Sequence, residues 1–439
     1  MSMLSLLDRP NVPFQPRRWP VFYGWFIVAF GTLGMIASVP GQTMGVGVFT
    51  DDLLDVLGLS RVRLSTAYML GTITSSLLLP VAGTVLDRVG ARVMVVMSSW
   101  ALGGSLLLLS RSDWLAHLGG SDSVMLATVV SFVCFFLIRF AGQGCLTMTS
   151  RVVISKWFNH RRGLAMAISG TLVTFGFSGA PLALNALRMS YGWRDASVIL
   201  ALCVAGGMSV IGWVFYRDNP EQCGLVMDGC TDRAWLDKMA ARVAETSREF
   251  TRREAVRTGV FWVFNTALAT QSLVMTAVAF HLVSLGRASH MGRTESYGVF
   301  LWMACFAVTG NFLSGWLSDR MQLKWLLIVQ MLAQATGTLG LLNFSHPLGW
   351  SMLVTGHGLA NGIFMTLAAV TWPRFFGREH LGAISGLNMS IMVFASAIGP
   401  VLFAKAHQLT GSYDAVIIGC ALMPLIVVPA ALKANNPQG

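Results

Sequence analysis

Apolar residues fill this chain in twelve stretches, separated by short polar turns. A helix needs about 20 apolar residues to cross a bilayer, and the stretches read as spans at 22–49, 64–86, 93–110, 124–155, 164–187, 196–216, 259–285, 296–317, 325–343, 348–371, 382–404 and 415–432. The fourth is longer than a crossing requires. One long polar segment, 217–257, interrupts the series. The pattern predicts an all-α membrane protein of twelve transmembrane helices in two pseudo-symmetric six-helix bundles. The expected domains are a cytoplasmic tail 1–21, a bundle 22–216, a linker 217–257, a second bundle 258–433 and a cytoplasmic tail 434–439.

Three pairs of strings recur in the same order in the two halves. Gly83-x-x-x-Asp87-Arg88-x-Gly90-x-Arg92 follows the second span, and Gly315-x-x-x-Asp319-Arg320-x-x-x-Lys324 follows the eighth, with Gln322 at the second glycine. Ala167-Ile168-Ser169-Gly170 is repeated as Ala383-Ile384-Ser385-Gly386, and Gly192-Trp193-Arg194-Asp195 as Gly411-Ser412-Tyr413-Asp414. Conserved order and similar offsets mark a duplicated unit. In the motif, Gly83 lets another helix approach closely and Gly90 permits a tight turn. Asp87 can accept hydrogen bonds at a helix N-terminus, favoured by the dipole. Arg88 and Arg92 can pair with carboxylates or stay on the surface.

This string resembles the loop motif of the major facilitator superfamily, and the likeness covers nearly the whole chain. It implies alternating access by rocking of the two halves, with Gly83, Asp87, Arg88, Gly90, Arg92, Gly315, Asp319, Arg320 and Lys324 forming a conformational latch. Further strings narrow the branch: Phe22-Tyr23-Gly24-Trp25, Trp157-Phe158-Asn159-His160-Arg161-Arg162-Gly163, Asn219-Pro220-Glu221 with Asp228-Gly229, and Phe375-Phe376-Gly377. Together they resemble the monocarboxylate and oxalate–formate branch.

The net charge of +11 would fit a nucleic-acid partner, but most Lys and Arg fall in the termini and the even-numbered loops. Positive charge collects on the cytoplasmic side of a membrane protein, so the charge reads as topology. Both termini are expected inside a multi-pass protein of the cytoplasmic membrane, with no nucleic-acid partner. No signal peptide is expected, because the first residues lack a short apolar core. Of the seven cysteines, Cys134, Cys145, Cys203, Cys305 and Cys420 lie in spans, where a thiol behaves as a small hydrophobe. Cys223 and Cys230 lie in the linker at no zinc spacing, so all are expected as free thiols. Trp235, Leu236, Met239, Ala240 and Val243 recur at helical spacing and predict an amphipathic helix in the linker.

The ionisable candidates taken from the spans are Arg139, His281 and His357, with Lys405 and His407 at the outer end of helix 11 and no Asp or Glu. Charge inside a membrane is expensive and usually functional, and an interior of cationic and neutral groups favours an anion. Arg139 and Gln143 share a helix face, and Arg139-x-x-x-Gln143-Gly144 resembles a second superfamily motif whose arginine faces the cavity. A guanidinium can grip a carboxylate through two parallel hydrogen bonds; it can equally tie helices together through backbone carbonyls. Gln42, Gln271, His357 and Asn361 complete the substrate candidates by position, each open to a role as a helix–helix hydrogen bond. His281 and His357 are the proton-coupling candidates.

The branch resemblance implies basic residues on helices 1, 8 and 11 that are missing here. Helix 8, Tyr297 to Trp316, and the middle of helix 11, Asn388 to Ser396, carry no Lys or Arg. A doubly charged substrate is therefore disfavoured. The expected function is proton-coupled movement of a small organic anion, a monocarboxylate, by a monomeric carrier without a cofactor. An efflux antiporter for amphipathic compounds, suggested by Gly176, Gly179 and Pro181, and a sensor without transport are the alternatives. No enzyme motif and no nucleotide-binding loop is present.

Overall fold

The structure is a computed structural model that describes residues 11–117, 124–229, 248–289 and 293–438. Among them are nine helical runs long and apolar enough to cross a membrane. Two of these are double: Arg61–Ser110 bends at Gly90 (φ 81°) into helices 2 and 3, and Arg162–Leu202 bends at Gly192 (φ 77°) into helices 5 and 6. With the shorter helix 1, Gly24–Ala37, the described spans reach the expected twelve. Helix 4 is built from Val124–Ile138, Arg139–Leu146 and Thr147–Trp157. Helix 6 continues through Cys203–Met208 and Ser209–Phe215. Helices 7 to 12 are Gly259–Ala288, Arg293–Ser318, Leu323–Gly340, Pro347–Phe376, Leu381–Thr410 and Asp414–Leu432. The expected amphipathic helix of the linker and Cys230 lie outside the described residues.

Three spans depart from regular helix: helix 1, helix 4, and helix 6, the last widening to a π-helix over Cys203–Met208. The first was expected to run unbroken over 22–49; instead helix 1 stops at Ala37, passes through a 3₁₀ turn Val39–Gly41, and resumes as Thr43–Val48 and Thr50–Leu57. Pro40 cannot donate a helical hydrogen bond. Gly41 packs so tightly that a Cβ there would meet the Ile138 carbonyl oxygen at 2.7 Å and Gly142 Cα at 2.8 Å. Opposite that break, helix 4 widens to a π-helix over Arg139–Leu146, a feature that often marks functional sites.

The chain divides into two compact units. One comprises Met1–Asn159, Leu172–Thr231 and Leu381–Ser390; the other comprises His160–Thr171, Asp232–His380 and Ile391–Gly439. The first few turns of helix 5 and of helix 11 thus belong to the unit built mainly from the other half of the sequence. In the first unit, helix 1 rests on helix 4 through Gly31 and Gly34, where a Cβ would strike Ile154, Ser150 and Tyr216. The second unit has an apolar core of Val274, Val278, Leu282, Val299, Met303, Phe344, Leu353, Phe403 and Ile417. Its helices 9 and 10 touch backbone to backbone at Gly337 and Gly356, the close packing that small residues allow in a bilayer. Exposed Leu77, Val81, Trp100, Leu182, Leu202, Leu301 and Ile426 leave an apolar exterior, as lipid contact requires.

Candidate functional site

The break in helix 1 leaves the Gly41 carbonyl outside the helical ladder, and Arg139 fills that vacancy. Its Nη1 donates to Gly41 O at 3.1 Å and to Thr43 Oγ1 at 3.3 Å, while the Tyr68 ring lies 5.2 Å from the guanidinium carbon. Tyr68 donates its hydroxyl to Thr43 at 2.9 Å. Arg139 is 2% exposed, its Nε has no hydrogen-bond partner, and no carboxylate among the described residues pairs with it. One turn on, the buried Oε1 of Gln143 is also unpartnered. Gln42 donates to Ser38 at 3.0 Å and to Thr147 at 3.2 Å, bridging helices 1 and 4.

Arg151 is a further basic residue of the fourth span, beside Arg139. It lies in the overlong end of the fourth span, where a basic residue reads as a topology signal. The side chain is half-buried on the Thr147 face of helix 4, and it has no hydrogen bond or ion pair among the described residues.

The second unit holds the other candidates. Gln271 is 1% exposed with both amide atoms unpartnered. His357 is fully buried, with Nε2 3.4 Å from Thr338 Oγ1. Thr338 already donates its hydroxyl to the Gln334 carbonyl at 2.8 Å, so the proton of the histidine pair sits on Nε2. Nδ1 is left as a bare acceptor with no partner. Asn361 lies one turn away, half-buried. His281 is placed differently: Nε2 is 3.0 Å from the Pro400 carbonyl and Nδ1 is 3.4 Å from the Tyr413 hydroxyl. Both nitrogens are engaged in joining helix 7 to helices 11 and 12.

Within the first unit, the Asp87 carboxylate accepts from the Gly382 and Ala383 amides, each at 2.7 Å. These are among the first N–H groups of helix 11, which have no partner inside the helix. Gly83 has its reason here, because a Cβ would overlap the Gly382 carbonyl. Gly90 turns the chain at φ 81°, and Arg92 donates from Nε to the Trp213 carbonyl at 2.6 Å. Arg88 is exposed.

In the second unit, Asp319 accepts from the Gly163 amide of helix 5 at 3.3 Å. A Cβ on Gly315 would lie 2.7 Å from the Gly163 carbonyl. Arg320 donates to Trp316 O at 3.0 Å, and Lys324 to Asn435 at 2.6 Å. At the second-glycine position, Gln322 has φ −70° and ψ 131°, so this loop needs no left-handed residue. The repeated Ala-Ile-Ser-Gly strings join the same contacts: a Cβ on Gly386 would meet Leu79 O at 2.6 Å, and one on Gly170 would meet Asn311 Nδ2 at 2.8 Å. Asn311, which the sequence did not single out, donates to the Ala167 carbonyl at 2.9 Å.

Two motif loops, each capping a helix half a chain away, and a broken helix 1 against a π-helix with a buried arginine describe the machinery. A model of the Major Facilitator Superfamily matches residues 26–400. The chain belongs to the major facilitator superfamily. As a member it is a multi-pass membrane protein and a secondary transporter, not an enzyme. Among superfamily relatives, a probable sulfoacetate transporter, SauU, of Cupriavidus necator is 23% identical over 85% of this chain and 88% of its own. Monocarboxylate transporter 14 of Homo sapiens is 22% identical, covering 92% of this chain and 89% of its own. The fold matches the superfamily's proton:xylose symporter XylE with a TM-score of 0.66 at 14% identity, covering 95% and 97% of the two chains.

Proposed function

We propose that the protein carries a small organic anion, most simply a monocarboxylate, by rocker-switch alternating access in the cytoplasmic membrane. The observation that carries this reading is the Arg139 guanidinium, buried with no carboxylate paired to it among the described residues. A cation at the centre of a membrane helix costs about 2.5–3.5 kcal/mol on insertion scales, and an anionic substrate offsets that cost in the loaded state. Gln143, and the half-buried Arg151 two turns beyond it, extend the anion path along helix 4. Gln271, His357 and Asn361 remain substrate candidates. Two relatives named for a sulfonated acid and a monocarboxylate support the anion class. The lack of Lys and Arg between Tyr297 and Trp316 favours a single negative charge.

Both histidines stay proton-coupling candidates: Nδ1 of His357 has no partner, and a protonated Nδ1 of His281 donates to the Tyr413 hydroxyl oxygen while Tyr413 turns its own proton to Ser284. Proton coupling through either histidine, or on the substrate itself, belongs to this reading. Asp87 and Asp319 are the latch, with the motif loops on the cytoplasmic side and both termini inside.

The test is uptake of labelled monocarboxylates, dicarboxylates and sulfonates into liposomes holding the full-length protein, with and without an inward proton gradient. Saturable monocarboxylate uptake raised by the gradient is expected, falling by about tenfold or more, ~1.4 kcal/mol, in Arg139→Gln. Wild-type uptake in a folded Arg139→Gln protein removes the arginine from the site. Failure to move any acid, with flux of an amphipathic cation instead, replaces the reading by efflux.

A further inference from the structure

Three carboxylates of the central segment hold main-chain amides of three different loops. Asp218 accepts from Ala91 and Arg92, directly after Gly90. Asp228 accepts from Asn159 through both oxygens, at 3.1 and 3.3 Å. Glu249 accepts from Arg378 at 2.6 Å and Glu379 at 2.9 Å, directly after Gly377. Asp218 and Glu249 use the same device: a glycine at positive φ (81° and 84°), whose missing Cβ leaves room for the carboxylate, followed by two captured N–H groups. Asp228 itself sits at φ 60° and is 6% exposed, a conformation that costs energy in a residue with a Cβ and persists where its surroundings enforce it. Phe250 donates its main-chain N–H to the Phe376 carbonyl at 3.0 Å, and Gln438 donates to Phe375 O at 3.1 Å.

Two of these grips lie beside the latch. On the loop before helix 5, Asp228 holds Asn159 and Asp319 holds Gly163. On the loop before helix 11, Glu249 holds Arg378 and Glu379, while Asp87 holds Gly382 and Ala383. The boundaries between the compact units fall between the paired grips, after Asn159 and after His380. Each helix start is thus gripped twice across a few residues, once by a linker acid and once by a motif acid.

We propose that Asp228 and Glu249 are positioning residues of the gate: they fix the chain just before helices 5 and 11, so that the amides offered to Asp319 and Asp87 return to one place in each transport cycle. The central segment is then a clasp on the loops, with a direct part in the conformational equilibrium. This rests on the latch reading given above.

The test is hydrogen exchange on the full-length protein in lipid nanodiscs, read beside its transport rate. Glu249→Ala should speed exchange about tenfold at Arg378 and Glu379 and also at Gly382 and Ala383, and change the maximal rate with KM unaltered. Glu249→Gln, which keeps an acceptor oxygen, should restore slow exchange at Gly382 and Ala383. Faster exchange confined to Arg378 and Glu379, with an unchanged rate, overturns the proposal. Asp228→Ala asks the same question at Asn159 and Gly163 and decides it if Glu249→Ala does not fold. Asp87→Asn separates the two readings: wild-type transport in that variant defeats the latch, whereas the exchange of the Glu249 variants alone judges the positioning role.

Discussion

The Arg139 guanidinium is held by the Gly41 carbonyl and by Thr43, which is the tie that its sequence left open; the ligand role belongs to the proposed anion site. Replacing Arg139 with lysine keeps the charge and loses the planar fork. Arg151 has no such tether among the described residues. In reconstituted protein, Arg151→Gln should raise the KM for the anion by about fivefold, ~1 kcal/mol, with the maximal rate nearly kept; an unchanged KM removes it from the path. Arg139 was legible in the sequence because its spacing to Gln143 and Gly144 forms a motif. Arg151 was not, since a basic residue near a span's end carries the same letter whether it faces lipid headgroups or the protein interior.

The positions of helices follow from hydrophobic length, and their irregularities follow from contacts that length does not encode. Helix 1 breaks because Pro40 lacks an N–H and Gly41 meets Gly142, and only the proline is visible in one sequence. The π-helix at Arg139–Leu146 leaves no compositional mark. Short helices outside the membrane are better marked: Thr251 and Glu254 form a capping box on Arg252–Ala255. Hydrogen bonds from the Thr251 backbone and side chain, together with Arg248, hold the Glu254 carboxyl down at about 2. A depressed carboxyl pKa contributes stability above its unfolded value and loses it as the pH falls toward the folded one. Protection factors of the amides in this turn, with the intrinsic pH dependence of exchange divided out, should therefore be high at neutral pH and fall as the pH drops from 4.5 to about 2, and pH-independent protection would remove Glu254 from the cap.

At the scale of the whole molecule the duplication is visible twice, as strings in the sequence and as contacts in space. Gly83 of helix 2 meets Gly382, and Gly386 of helix 11 meets Leu79, as Gly315 of helix 8 meets Gly163 and Gly170 of helix 5 meets Asn311, so the repeated letters are one packing device used in each unit. Asp87 holds the Gly382 and Ala383 amides and Asp319 holds the Gly163 amide. Bonds to a carboxylate are charge-assisted, so Asp87→Asn and Asp319→Asn should each alter the transport rate, by about tenfold or ~1.4 kcal/mol. A wild-type rate in either variant would take that copy out of the latch. The linker acids escaped the sequence reading because their partners are amide hydrogens, which every residue but proline carries. The same fact bears on how this protein would look to an alanine scan. Asn159, Arg378 and Glu379 contribute their amides to these joints, and truncating a side chain leaves the N–H in place. A scan would pass over these amide contacts and score the acids as isolated hits, with nothing to connect them.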